Sequence, residues 1–179
     1  SALKITNLIH QKSMTASKPG KYEYEIVAEM ESIIKSHNVN LAYPIIFTVN
    51  GQILHNSIYN NKISDGDLLL NDSGANSTLN YASDITRTFP ANGKFSTQQK
   101  EIYLIVKEMQ ETVIKQLKPG VSFKEMHKLS AYIGIKRLKE IGLLKGSCDE
   151  ALAKGVYGLF YPHGLGHMLG LDVHDMESL

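Results

Sequence analysis

A tripeptide repeated at an interval of 100 residues constrains the fold of this chain more than any other feature. Lys18-Pro19-Gly20 recurs as Lys118-Pro119-Gly120, and each copy lies between two segments of helical periodicity. An aromatic residue and a glutamate follow each copy at the start of the second helix. Lys-Pro-Gly is an ordinary helix stop, so chance is one explanation. The other is a duplicated unit of helix, turn, helix and strands, with a shorter second copy.

Apolar residues spaced three and four apart predict four main helices, over residues 2–15, 23–37, 96–118 and 122–141. Ser96 with Gln99, and Ser122 with Glu125, have the spacing of capping boxes at the starts of the last two helices. The stripe of the third helix that we expect to face the core consists of Ile102, Ile105, Val106, Met109, Val113 and Leu117.

Runs of β-branched and apolar residues bounded by turn signals predict the strands. Residues 43–55 indicate two strands around Asn50-Gly51, and residues 67–74 and 81–89 indicate two more. Residues 161–175, rich in Gly and His, are expected to form strand and loop, and the region around Cys148 a loop or short helix.

Composition excludes several classes of protein. A length of 179 residues gives room for one domain, and the net charge of +1 provides no basic field for nucleic acid. No apolar run approaches the length of a membrane span, and the start does not resemble a signal peptide. With Cys148 as the only cysteine, the chain fits a reducing compartment, and we expect a cytoplasmic protein.

Asp72 and Asp84 are the first candidate site residues. They lie 12 positions apart on two predicted strands, which would let their carboxylates face each other if the strands form a hairpin. Two convergent carboxylates in apolar surroundings are costly unless a cation neutralises them. The alternative is structural: Asp72 caps a strand end and Asp84 forms an ion pair with Arg87.

Three of the seven histidines fall within twelve positions, at His163, His167 and His174. Glycines between His163 and His167 disfavour the helical zinc pattern and favour an extended segment. Imidazole and carboxylate ligands together suit Mn, Co, Fe or Zn. His55 ends a predicted strand and could reach the same site. The remaining histidines are expected on the surface: His10, His37 and His127.

Three segments together resemble the Xaa-Pro aminopeptidase (aminopeptidase P) family of the pita-bread metallopeptidases. They are Leu68-Leu-Leu-Asn-Asp72-Ser-Gly-Ala, Tyr81-Ala-Ser-Asp84-Ile-Thr-Arg-Thr-Phe-Pro90 and Tyr161-Pro-His163-Gly-Leu-Gly-His167-Met-Leu-Gly-Leu-Asp-Val-His174-Asp. The resemblance implies an α+β, partial pita-bread (creatinase/aminopeptidase) fold, with an antiparallel sheet covered by helices. Residues 1–95 would form the first half and residues 96–179 an incomplete, pseudo-symmetric second half.

The resemblance also implies a role for each candidate residue. Asp72, Asp84 and His167 would bind two divalent metal ions, most consistently Mn, with Co, Zn or Fe as alternatives. His55, His163 and His174 would line the substrate site as catalytic histidines. In the family, a hydroxide bridging the metals attacks the amide bond before proline. The implied substrates are therefore peptides with proline at the second position.

Two departures from the family pattern lead to expectations of their own. The segment between Asp72 and Asp84 is about one residue longer than usual. The family's two remaining glutamate ligands have no counterpart before Leu179, and its separate N-terminal domain has none either. We therefore expect a truncated catalytic domain that is inactive alone, binds metal poorly and self-associates through uncovered strand edges. The alternatives for the parent are a prolidase (Xaa-Pro dipeptidase) and a non-catalytic pita-bread domain that binds peptide or protein.

Overall fold

The computed structural model describes residues 1–177 and divides the chain into two compact units. The first unit consists of Ser1–Phe95 together with the chain from His167 onward, and the second of Ser96–Gly166. Within residues 1–177, no helix combines the length and apolar character needed to cross a membrane.

The first unit packs two helices and a three-stranded antiparallel sheet around one core. Helices α1 (Ala2–Ala16) and α2 (Glu23–Ser36) are followed by strands β1 (Ile46–Thr48), β2 (Leu68–Ser73) and β3 (Ile85–Pro90) in the order β1-β2-β3. Each element contributes apolar side chains with little or no exposure, because helical and strand periodicity both direct one face inward. The largest are Ile9, Ile26, Met30, Ile34, Phe47 and Leu69.

The second unit is helical in the residues described. It contains α3 (Thr97–Gln116), α4 (Phe123–Glu140), α5 (Cys148–Ala153) and a 3-10 turn at Val156–Leu159. Helices α3 and α4 pack closely at Gly134, where an added Cβ would lie 3.1 Å from the sulfur of Met109. The short helix at Cys148 agrees with one of the two forms predicted there.

The Lys-Pro-Gly repeat is present as a repeated helix–turn–helix. The ends of α1 and α3 lie 100 residues apart in sequence, as do the starts of α2 and α4. In both turns the amides of Lys21 and Val121 donate to the carbonyl three residues earlier, at 3.2 Å. Gly20 and Gly120 have φ of 98° and 86°, a left-handed conformation that glycine adopts without strain. Pseudo-symmetry of the complete halves stays a prediction.

The strand predicted after Asn50-Gly51 is wrong. Residues 51–55 form turns, and His55 has φ of 55°, which a strand does not accommodate. The Ile53 amide donates to the Asn50 carbonyl at 2.9 Å within this turn. Side chains bind the backbone amides on either side of it. The Val49 amide donates to Glu23 at 2.8 Å and the Ile58 amide to Asn56 at 3.0 Å.

Two further strand predictions need correction. Strand β3 begins at Ile85 rather than at Tyr81, because the preceding residues make only isolated bridges and turn contacts. No strand forms in residues 161–175, where glycine-rich backbone takes irregular conformations. The part of this segment that belongs to the first unit bonds to the residues before β3: the Ala82 amide donates to the Gly170 carbonyl at 2.8 Å.

Of the two predicted capping boxes one forms, and the predicted buried stripe of α3 is only partly buried. The capping box of Ser96 and Gln99 is confirmed, with reciprocal bonds of 3.2 and 2.9 Å. The second capping box is wrong, because the Glu125 amide bonds to the backbone carbonyl of Ser122 and no side-chain cap forms. In α3, Ile105 and Val113 are buried as expected, whereas three members of the predicted stripe are exposed: Ile102, Val106 and Leu117.

Candidate metal centre

Antiparallel pairing of β2 with β3 brings Asp72 and Asp84 to the same face of the sheet. Asp72 pairs with Thr86, and Asp84 lies two residues before Thr86, immediately ahead of β3. Side chains two residues apart on an extended chain point to the same side, so Asp84 is the diagonal neighbour of Asp72. The hairpin inferred from spacing and turn signals therefore places both carboxylates together.

A close approach of two backbone segments tightens this arrangement. A Cβ at Gly74 would collide with the carbonyl oxygen of Ser83, so only glycine fits where the chain leaves β2 opposite Ser83. Gly74 lies two residues after Asp72, and Ser83 lies directly before Asp84. The missing side chain thus allows the segments carrying Asp72 and Asp84 to lie at short distance.

The hydroxyl of Tyr43 joins the two carboxylates. It lies 2.6 Å from Oδ1 of Asp72 and 2.6 Å from Oδ1 of Asp84. The two oxygens can therefore be no further apart than twice that distance. A phenol has one proton and donates to one carboxylate at a time. Burial, reinforced by both carboxylates, raises the pKa of Tyr43, which keeps the phenol a neutral donor.

The electrostatics of the pair favour a cation. Burial raises the pKa of Asp72 above its usual value, and the adjacent charge of Asp84 adds to that effect, against the hydrogen bonds from Tyr43 and Thr86. Ionising both carboxylates places two like charges in partly desolvated surroundings. A divalent ion between them would offset the repulsion that one phenol proton only lessens.

His167 reaches the same carboxylates from the far end of the chain. Its Nε2 lies 3.1 Å from Oδ2 of Asp84, and its Nδ1 lies 2.8 Å from the carbonyl oxygen of Met168. A carbonyl only accepts, so Nδ1 carries a proton and Nε2 is the nitrogen that faces the carboxylate. This orientation, with Nδ1–H fixed by a backbone carbonyl, is the one that metal-binding histidines use.

The structure brings one of the three predicted catalytic histidines, His174, next to this trio. The ring of His174 lies 4.1 Å from that of His167, centroid to centroid, within the first unit. His55 lies in the exposed turn after β1. His163 belongs to the second unit, where its ring packs edge-on against Tyr161 at 4.8 Å. Substrate-site roles for these three histidines remain predictions.

Asp72, Asp84 and His167 do not form a closed metal site by themselves. Among residues 1–177, no three His, Cys, Asp or Glu side chains converge closely enough to hold a metal ion unaided. The ligand types nevertheless suit Mn, Co, Fe or Zn, since one imidazole and two carboxylates are borderline and hard donors. Any metal bound by this trio would need further ligands.

Sequence reasoning missed two residues around the site. The sequence predicts Tyr43 only as the start of a strand, because no spacing pattern marks a tyrosine before Pro44 as a carboxylate partner. His10 was expected on the surface but is 4% exposed, because α1 turns a polar as well as an apolar face toward the sheet. The expectation holds for His37, which is exposed, whereas His127 is half-buried against Tyr161.

Comparison with known proteins identifies the family. Residues 1–179 match metallopeptidase family M24 along their whole length. The chain belongs to metallopeptidase family M24. Its M24 relatives include the Xaa-Pro aminopeptidases of Haemophilus influenzae (42% identical over 177 residues) and Escherichia coli K12 (41% over 177 residues). The Xaa-Pro dipeptidase of Rattus norvegicus is 40% identical over 185 residues.

Solved M24 structures establish the fold. A variant of E. coli aminopeptidase P in complex with substrate superposes with a TM-score of 0.94 and 40% identity, over 99% of this chain and 41% of that protein. The zinc-substituted E. coli enzyme in complex with product gives 0.93 and 40%, over 98% and 40%. The α+β, partial pita-bread fold predicted from the sequence is confirmed.

Coverage of the relatives is partial. The alignments with the two bacterial enzymes include 97% and 96% of this chain but only 41% and 40% of those enzymes. The chain therefore spans about two fifths of the length of the relatives that it matches.

Proposed function

We propose that the protein to which this chain contributes is a metal-dependent Xaa-Pro aminopeptidase, which hydrolyses the bond between an N-terminal residue and proline. The observation that carries the proposal is the set of contacts that links the three candidate ligands in an M24 fold: Tyr43 bonds to both Asp72 and Asp84, and His167 contacts Asp84. Relatives with about 40% identity over nearly the whole chain bear that activity in their names.

We assign the metal-holding role to the two carboxylates and to Nε2 of His167, and propose two divalent ions, with Mn as the most consistent choice. When bound, such ions would supply a water of lowered pKa and would polarise the scissile carbonyl. The chain's own residues place the negative charge: Tyr43 orients the two inner carboxylate oxygens, and the Met168 carbonyl fixes the tautomer of His167. His55, His163 and His174 are proposed to bind and orient the peptide.

A dipeptidase is the second candidate function, because the rat Xaa-Pro dipeptidase is as similar to this chain as the bacterial aminopeptidases are. The two activities differ in the length of substrate admitted. A tripeptide of the type Ala-Pro-Xaa and the dipeptide Ala-Pro separate them. Cleavage of the tripeptide supports the aminopeptidase, and cleavage of the dipeptide alone supports the prolidase.

The assay uses the complete protein and the 179-residue chain, each with Mn²⁺ titrated. We expect metal-dependent turnover by the complete protein and none by the chain, since the described residues hold no closed ligand set. Metal-dependent turnover by the chain alone would show that the ligand assignment is wrong. A complete protein that is folded and inactive at every metal concentration would favour a non-catalytic peptide-binding domain.

Localisation and assembly are proposed on narrower grounds. The lone Cys148 accords with a reducing, cytoplasmic setting. Self-association of the chain is supported by the apolar side chains that α3 leaves exposed: Ile102, Val106 and Leu117.

A further inference from the structure

The residues that flank the candidate carboxylates are polar and buried. In β2, Asn71 and Ser73 are fully buried on the side opposite to Asp72, and Ser83 is 1% exposed directly before Asp84. Apolar residues usually occupy such inward strand positions. Leu69, two residues before Asn71 on the same face of β2, is an example. The inward face of β2 therefore changes from apolar to polar where the candidate site begins.

Helix α1 supplies the partners of the two β2 side chains. The Asn71 amide nitrogen lies 2.8 Å from Oγ of Ser13 and 3.2 Å from Nδ1 of His10. Nε2 of His10 lies 3.3 Å from both the carbonyl oxygen and the hydroxyl of Ser73. The Ser73 hydroxyl donates to Oδ1 of Asn71 at 2.8 Å, which closes the ring of bonds.

This geometry determines the form of His10. The Ser73 carbonyl only accepts, so Nε2 carries the proton, and the Asn71 amide donates, so Nδ1 accepts. Both ring nitrogens are thereby used by the two neighbours of Asp72. The imidazole therefore holds the backbone of Ser73, which follows Asp72, and the side chain of Asn71, which precedes it.

One turn earlier, α1 holds the segment before Asp84 in a similar way. The Thr6 hydroxyl lies 2.6 Å from Oγ of Ser83 and accepts from the Ala75 amide at 3.0 Å. Ser83 also donates to the Ala75 carbonyl at 2.7 Å. Thr6 thus joins the chain leaving β2 to the chain entering β3.

A fold alone does not require this arrangement. Apolar side chains of similar volume would pack the same space without desolvating six polar groups, and such replacements are often neutral or stabilising. A fully satisfied buried network does fix one geometry, because its bonds are directional. The three side chains that α1 binds in this network, those of Asn71, Ser73 and Ser83, each lie next to Asp72 or Asp84 in sequence.

We propose that Thr6, His10 and Ser13 are positioning residues, which hold the backbone beside Asp72 and Asp84 so that the two carboxylates keep the separation a metal centre needs. This inference rests on the proposed function. The three side chains act through Asn71, Ser73 and Ser83 and touch neither metal nor substrate. We name them the α1 clamp.

The test compares His10→Leu with His10→Gln in the complete protein. Glutamine carries a donor and an acceptor side by side, as the neutral imidazole does, whereas leucine carries neither. We expect His10→Leu to bind Mn²⁺ ~10–100-fold more weakly, as measured by electron paramagnetic resonance of the free ion, and His10→Gln to recover about tenfold of that loss. The visible spectrum of the Co²⁺-loaded protein should change in His10→Leu.

A second pair guards against misfolding of His10→Leu. Ser13→Ala removes the hydroxyl that accepts from Asn71. Ser17→Ala removes a buried hydroxyl at the residue that follows α1, which donates to the Ser13 carbonyl. We expect weaker Mn²⁺ binding in Ser13→Ala and unchanged binding in Ser17→Ala. Wild-type Mn²⁺ affinity in folded Ser13→Ala or His10→Leu would overturn the clamp alone. A wild-type protein that binds no divalent metal would overturn the proposed function, and the clamp with it.

Discussion

Nε2 of His167 lies 3.1 Å from Oδ2 of Asp84, across a sequence separation of 83 residues. The contact joins an irregular glycine-rich segment to the residue that precedes β3, within one compact unit. It completes the trio on which the proposed metal chemistry depends.

Replacing Asp84 with asparagine should abolish metal-dependent peptidase activity of the complete protein. The change keeps the shape but removes a charge that would balance the cations, so the loss of kcat/KM should exceed the ~10–100-fold typical of groups that only orient a ligand. Hydrolysis of Ala-Pro-Xaa with Mn²⁺ titrated measures it. Asp149→Asn, at an exposed position in the first turn of α5, is the control. Full activity of Asp84→Asn would remove Asp84 from the ligand set.

Asp72→Asn should stabilise the metal-free 179-residue chain at pH 7. The substitution removes one of two partly buried like charges, while the amide oxygen can still accept from Tyr43. We expect the Tm to rise by ~2–4 °C, which about 1 kcal/mol produces in a chain of this length. Differential scanning calorimetry in the presence of a chelator measures it. A lowered Tm would mean that the carboxylate contributes more to the metal-free fold than its repulsion costs.

His10 should make stability depend on pH. Burial, the largest cause, lowers its pKa below the usual 6.5, so the unfolded chain takes up a proton at a pH where the folded chain does not. The stabilising contribution is therefore present above about pH 6.5 and is lost as the pH falls from there toward the folded-state pKa.

Urea unfolding of the metal-free chain at pH 7.5 and pH 5.5 measures this effect. The free energy of unfolding should fall less between those values in His10→Gln than in the wild type. His37→Gln removes an exposed histidine and controls for the loss of an imidazole as such. An identical fall in wild type and His10→Gln would contradict the assignment.

Gly74→Ala should destabilise the chain by about 2 kcal/mol or more, because a Cβ there meets backbone that cannot move as a flexible side chain would. Gly158→Ala is the matched control, since nothing lies within 4 Å of its added Cβ and its backbone is not left-handed. Urea midpoints of the two variants give the comparison. Equal midpoints would show that the segments carrying Asp72 and Asp84 separate at no cost.

The exposed apolar face of α3 should drive self-association of the 179-residue chain. Ile102, Val106 and Leu117 are 39%, 57% and 50% exposed. We expect light scattering to give a mass above 19.9 kDa at high concentration and Val106→Lys to lower it toward the monomer. A monodisperse wild-type monomer at high concentration would refute this prediction.

The sequence by itself determined the local structure of this protein. Helical periodicity located α1 to α4 to within a few residues, and the two Lys-Pro-Gly turns share the amide-to-carbonyl bond of Lys21 and Val121. The turn signals between residues 72 and 84 were enough to imply a hairpin that carries both carboxylates. These features depend on side-chain spacing along a short stretch of chain, which a sequence displays directly.

Only the tertiary structure decided how distant segments meet. Tyr43 reaches Asp72 and Asp84 across 29 and 41 residues, and His10 reaches Ser73 across 63. No local pattern encodes such pairs, because each depends on how α1 and the sheet pack around a shared core. The wrong predictions have two causes. Residues 51–55 close a local turn, in which the Ile53 amide donates to the Asn50 carbonyl at 2.9 Å, whereas His10 is buried because its helix packs on the sheet.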